Sequence, residues 1–127
     1  MDNELKQKLK QTLDPIAYEV IVNKGTEHPH SGKYNNHSEK GTYSCAACGA
    51  NLFHSDSKFE AGCGWPSFDK EIIEGAIKET KDLSHGMVRI EITCSNCDAH
   101  LGHVFEDGPT ETQLRYCVNS VSLNFKD

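Results

Sequence analysis

Two short cysteine pairs constrain this chain more than anything else in it: CAAC (Cys45, Cys48) and CSNC (Cys94, Cys97). Each CxxC turn offers two sulfurs from one tight loop, and two such turns complete the tetrahedral shell that Zn²⁺ prefers. Gly49, directly after the first pair, suits a knuckle that must bend sharply around a metal. The 45 residues between Cys48 and Cys94 exceed the usual ribbon spacing, so a real subdomain separates the two halves of the site. Zinc would then clasp distant parts of one fold. An iron–sulfur or rubredoxin-type iron site takes the same ligands. A thioredoxin-like redox pair and a set of disulfides are the other options. Structural zinc is favoured, since the chain shows no βαβ pattern. A shell closed by four sulfurs leaves the metal no open position for catalysis.

A chain of 127 residues is long enough for one domain with a modest core. Thirteen basic residues face nineteen acidic ones, a net charge of −6. Four zinc-bound thiolates would add roughly two more negative charges. Such a surface repels phosphate backbones, so nucleic acid is not the expected partner. No apolar run approaches the roughly 20 residues that span a bilayer, and no membrane partner is expected. MDNELKQKLK has neither a basic n-region nor an apolar h-region. Six cysteines without a leader point to metal or redox use in a reducing, cytoplasmic compartment.

Leu5, Leu9 and Leu13 repeat every four residues, one stripe of a short helix. Asp14-Pro15 reads as an N-cap followed by proline at the first helical position, opening a second helix to about Asn23 that stops at Gly25. These helices are expected to cover one edge of the core. Thr26 to Gly41 is rich in turn formers and reads as a loop. From there the pattern is mostly β. GTYSC, NLFHS, LRYCV and SVSLNF are strand candidates, and EIIEGAIKETKD leans the same way. MVRIEIT alternates, with Val88, Ile90 and Ile92 on one face and Arg89, Glu91 and Thr93 on the other. The expected architecture is a mainly antiparallel β domain with small N-terminal helices.

Two cysteines stand alone. On a strand, Arg115, Cys117 and Asn119 share one face, while Tyr116 and Val118 point into the core. A guanidinium near a thiol favours the nucleophilic thiolate. Beyond Asn119 the apolar positions change parity to Val121, Leu123 and Phe125, which calls for a bulge or kink near Asn119 and Ser120. A buried, inert cysteine is the bland alternative. Cys63 tips the balance, because it lies between Gly62 and Gly64 in a permissive, mobile loop. A strand cysteine and a loop cysteine fit a nucleophile with a resolving thiol, passing through a sulfenic acid to a disulfide. His100 and His103, just after the second knuckle, would suit acid chemistry near neutral pH in a cleft. Trp65 is either core or one wall of an apolar pocket. A non-enzymatic zinc module accounts for the paired cysteines and leaves Cys63 and Cys117 without a task. A redox sensor uses both thiols as a switch and turns over no substrate.

TEHPHSGKY, CAACGANLF, KFEAGCGWPSF, SHGMVRIEITCSNCDAHLGHVFEDGP and LRYCVNSVSLNF together resemble the methionine-R-sulfoxide reductases, the B-type enzymes. The resemblance covers nearly everything from Asp14 to Phe125, with residues 1–13 as a helical extension to a catalytic unit over 14–126. It implies a mainly β fold of two antiparallel sheets clasped by one structural zinc at Cys45, Cys48, Cys94 and Cys97. It further implies Cys117 as nucleophile and Cys63 as its resolving partner. Trp65, His100, Arg115 and Asn119 would shape or hydrogen-bond the substrate, with His103 the expected acid. The implied substrate is methionine-R-sulfoxide in oxidised proteins, the implied reductant is thioredoxin, and the chain is expected to be a monomer without an organic cofactor.

Overall fold

The computed structural model describes residues 1–127. Helix α1 (Asn3–Thr12) starts where the Asp2 carboxylate accepts the Leu5 N–H, and helix α2 (Pro15–Ile21) where Asp14 accepts from Ala17. Leu9, Ala17, Val20 and Ile21 are buried. The second helix ends two residues earlier than the sequence suggests. Its reversal falls on Lys24, whose φ is 61°, and Gly25 only closes the turn by donating to the Glu19 carbonyl.

Nine strands follow: β1 (Thr42–Cys45), β2 (Asn51–His54), β3 (Lys58–Phe59), β4 (Ser67–Phe68), β5 (Ile77–Asp82), β6 (Arg89–Cys94), β7 (His100–Phe105), β8 (Arg115–Val118) and β9 (Leu123–Lys126). They form two antiparallel sheets, β2-β1-β9 and β3-β4-β8-β7-β6-β5. In EIIEGAIKETKD only the second half is strand. Phe53 of the small sheet stacks on Phe68 of the large one with ring centroids 4.3 Å apart, and Tyr43 and Tyr116 pack around them. Burying those four rings welds the sheets.

The parity change after Asn119 has a clear cause. Ser120–Ser122 form one 3₁₀ turn, and the chain leaves the large sheet at Val118 to enter the small one at Leu123. SVSLNF is therefore a turn followed by a strand. Strand β6 alternates as expected, but its polar face is not solvated. Val88 is exposed and outside the strand, whereas Glu91 and Thr93 are buried. Lys24, from the chain just past α2, reaches Glu91 at 3.1 Å.

Candidate active site

Strand β1 ends at Cys45 and β6 ends at Cys94, so each sheet contributes one knuckle. The two turns are built alike: Gly49 and Asp98 donate to the carbonyls of Cys45 and Cys94, both at 2.8 Å, and both take positive φ. Cys45 Sγ lies 3.7 Å from Cys97 Sγ, Cys48 Sγ lies 3.6 Å from Cys94 Sγ, and all four sulfurs fall within 4.8 Å of one another. A tetrahedral thiolate site with bonds of about 2.3 Å has edges of about 3.8 Å. The hydrogen bonds to Cys94 and Cys97, with burial, push the Cys45 thiol far above its ordinary range. Four thiols this crowded cannot all ionise without a cation between them. The cluster is therefore shaped to hold one metal ion.

On the large sheet, β8 lies between β4 and β7, with Cys117 opposite Ser67 on one side and His103 on the other. Cys117 lines a cavity of about 270 Å³, together with Cys63, Trp65, His103, Arg115 and Asn119. Tyr116 and Val118 are buried behind it, as the strand period requires. The loop that carries Cys63 turns on Gly62 and Gly64, with φ of 69° and 94°. It is also tied down, because the Gly64 carbonyl accepts the His30 N–H at 2.7 Å. No long swing is needed: Cys63 Sγ stands 3.8 Å from Cys117 Sγ. A disulfide needs only about 1.8 Å of further approach.

The two thiols differ in acidity, and in the opposite sense to the sequence expectation. Burial, then the charge and hydrogen bond of Cys63, push Cys117 up to about 12 against the pull of Arg115. Burial opposes the Cys63 thiolate too. There the hydrogen bonds of Ser67, the Trp65 backbone and Cys117 outweigh it, and the group falls below its ordinary value. Cys117 therefore holds its proton more tightly than Cys63 does. Arg115 cannot reverse this, because Asp107 grips its guanidinium at 2.8 and 3.1 Å and the Phe105 ring lies beneath it at 4.4 Å.

A register shift between Ile92 and Thr93 lets β7 bulge at Leu101, so Thr93 pairs with His100 and Ile92 with Gly102. Residues three apart would otherwise point to opposite faces. The bulge turns His100 and His103 to one side, ring centroids 5.9 Å apart. His103 lines the cavity, and its Nε2 lies 2.8 Å from Asp82 Oδ2. His100 does not line it. Buried beneath, it meets Glu91 Oε2 through Nδ1 at 2.8 Å, and burial lowers its affinity for a proton. The Asn119 side chain accepts from the Glu27 N–H and donates to the Leu101 carbonyl, both at 3.0 Å, so most of its amide is already engaged. The Trp65 indole donates to the Glu27 carbonyl at 3.1 Å.

Glu27, Asp82, Glu91, Phe105 and Asp107 escaped the sequence reading. Only Asp82 left a local trace: an Asp two residues before Ser84, at the end of strand β5, marks an Asx turn. The others become visible only when distant segments meet.

The SelR domain family matches residues 13–127. The chain belongs to the SelR family. A protein of Variovorax paradoxus (strain S110) named peptide methionine sulfoxide reductase MsrB is similar to this chain. It is 61% identical over 113 residues, covering 89% of this chain and 83% of its own. Proteins of the same name from Pseudomonas putida (strain W619) and Acinetobacter baylyi (strain ATCC 33305 / BD413 / ADP1) are 59% and 55% identical. They cover 90% and 98% of this chain, and 86% and 89% of their own. Both sheets, the four-sulfur cluster and the cavity lie within the SelR match.

Proposed function

We propose that this SelR chain reduces methionine-R-sulfoxide in oxidised proteins back to methionine, and that Cys117 is its nucleophile. The observation that carries the reading is the separation of 3.8 Å between Cys63 and Cys117 inside a cavity that also presents His103 and Trp65. The high identity to proteins named peptide methionine sulfoxide reductase supports the substrate.

The Cys117 sulfur attacks, the S–O bond of the sulfoxide breaks, and methionine leaves with two more electrons than the sulfoxide held. The oxygen stays on Cys117 as a sulfenic acid. His103 supplies the proton that oxygen needs, and Nδ1 is its free nitrogen because Asp82 engages Nε2. Trp65 walls the cavity where the substrate methyl would lodge, and the placement of the oxygen towards His103 selects the epimer. Arg115, fixed by Asp107, offers a positive charge at the rim, and Asn119 and His100 hold the floor. Cys63 then attacks the sulfenic sulfur, water departs, and a Cys63–Cys117 disulfide remains. An external dithiol resets it, and thioredoxin is the proposed one. Cys45, Cys48, Cys94 and Cys97 would hold one Zn²⁺, which supplies cross-linking rather than chemistry. We place the enzyme in a reducing cytoplasm, as one chain with its catalytic unit over residues 14–126. No helix is long and apolar enough to cross a membrane.

Each methionine sulfoxide epimer, incubated with the metal-loaded protein and dithiothreitol, tests the reading. The R epimer is consumed and the S epimer is not. After one turnover without reductant, two free thiols per chain disappear. Consumption of neither epimer, or of both equally, overturns it.

A further inference from the structure

Asp82 closes β5, and its carboxylate joins three segments. Oδ2 faces His103 Nε2 at 2.8 Å and the Arg89 guanidinium at 3.5 Å. Oδ1 accepts from the Ser84 N–H at 2.9 Å and from its hydroxyl at 2.7 Å. The Ser84 contacts and the His103 contact hold the Asp82 carboxyl well below the usual range. An ionised carboxylate can only accept, so the ring nitrogen that meets it must carry a hydrogen. In its neutral form His103 is then held as the Nε2–H tautomer, with the Nδ1 lone pair open.

We propose that Asp82 is a positioning residue for proton delivery, fixing the tautomer and orientation of His103. The proposal deepens the sulfoxide-reductase reading and rests on it. In the transfer, the Nδ1–H bond breaks and an O–H bond forms on the oxygen leaving sulfur. The ring becomes neutral and keeps its Nε2–H on Asp82. The carboxylate accepts no proton and passes no electron.

The other charged groups around His103 are already committed. Glu91, opposite it on β6, is taken up by His100 and Lys24. Arg89, on the same strand, pairs with Asp82 itself. From β8, Arg115 is bound to Asp107, and Cys117 holds its proton. Cys63 faces the same cavity from its loop. Asp82 is thus the one carboxylate hydrogen-bonded to this ring, and it alone fixes which ring nitrogen carries the hydrogen. His100 meets its own carboxylate, Glu91, through Nδ1 and lies buried beneath the cavity.

The test compares metal-loaded wild type with Asp82→Asn. Single-turnover reduction of an R-sulfoxide peptide is followed from about pH 5 to about pH 9, across the histidine range, and the ring nitrogens are read by ¹⁵N NMR. Asn keeps the shape but not the charge, and its amide can stabilise the wrong tautomer. The expected result is a loss of about 100-fold or more in the chemical step, with KM changed less than about twofold. The His103 Nε2–H signature should be lost. Asp82→Glu, which returns the acceptor, should restore that signature while remaining slower. An unchanged tautomer in Asp82→Asn overturns the proposal, even if the variant is less stable. Should Asp82→Asn fail to fold, wild type still decides: an Nδ1–H tautomer on neutral His103 overturns it and an Nε2–H tautomer supports it. If wild type consumes neither epimer, the enzymatic reading falls, whereas the tautomer still reports on Asp82.

Discussion

Cys117 is poised by its position rather than by its own acidity. Burial and the neighbouring thiol hold its proton, so the proposed nucleophile ionises more readily once substrate entry or a change at Cys63 alters the cavity. The Cys63→Ser variant isolates that effect. A serine hydroxyl carries no negative charge, so two of the three influences that raise Cys117 vanish while the Arg115 charge stays. The Cys117 thiolate should therefore form at lower pH than in wild type. Alkylation by iodoacetamide, mapped to Cys117 by mass spectrometry on metal-loaded protein, should begin at least about one pH unit lower. An onset at the same or a higher pH would show that burial alone sets this thiol. The sequence pointed to Arg115 as the activating group, and missed its saturation by Asp107, because that pairing lies across a loop.

Strands β7 and β8 carry His103 and Cys117, and their spacing depends on Gly102. A Cβ there would run into the Cys117 carbonyl, so the backbone at Cys117 can approach its neighbour only where no side chain exists. Gly102→Ala should destabilise the metal-loaded protein by about 1–3 kcal/mol in urea unfolding and should slow the chemical step by displacing Cys117 from His103. A variant as stable and as active as wild type would mean that the sheet absorbs the methyl group. The existence and type of most elements were legible, since alternation in β6 and β8 and the Asp14-Pro15 cap are local signals. The bulge in β7 was not. Gly102 inside the HLGHVF run permits a bulge but does not place it; the position follows from register against β6, a property of two strands together.

For the molecule as a whole, the four-sulfur cluster sits where the ends of the two sheets meet, and the aromatic stack of Phe53 on Phe68 ties them elsewhere. A metal there cross-links segments 45 residues apart and removes much of the freedom of the unfolded chain. Stripping it with a chelator should release one equivalent of zinc by atomic absorption and lower Tm by more than about 10 °C. Activity should fall with it, since β7 and its histidines hang from the second knuckle. An unchanged melting curve after full metal release would leave the aromatic core as sole support.

The chain order alone determined the two cysteine pairs, the β character and the identity of the two lone thiols, because cysteine spacing and period-two alternation are written in neighbouring residues. What only the tertiary structure decided is the meeting of Cys63 with Cys117, the placing of His103 in the cavity and His100 beneath it, and the carboxylate that each meets. Those depend on register shifts and on loop closure between residues tens of positions apart. Contacts of that kind arise from packing two sheets and a loop together, and no local pattern encodes them.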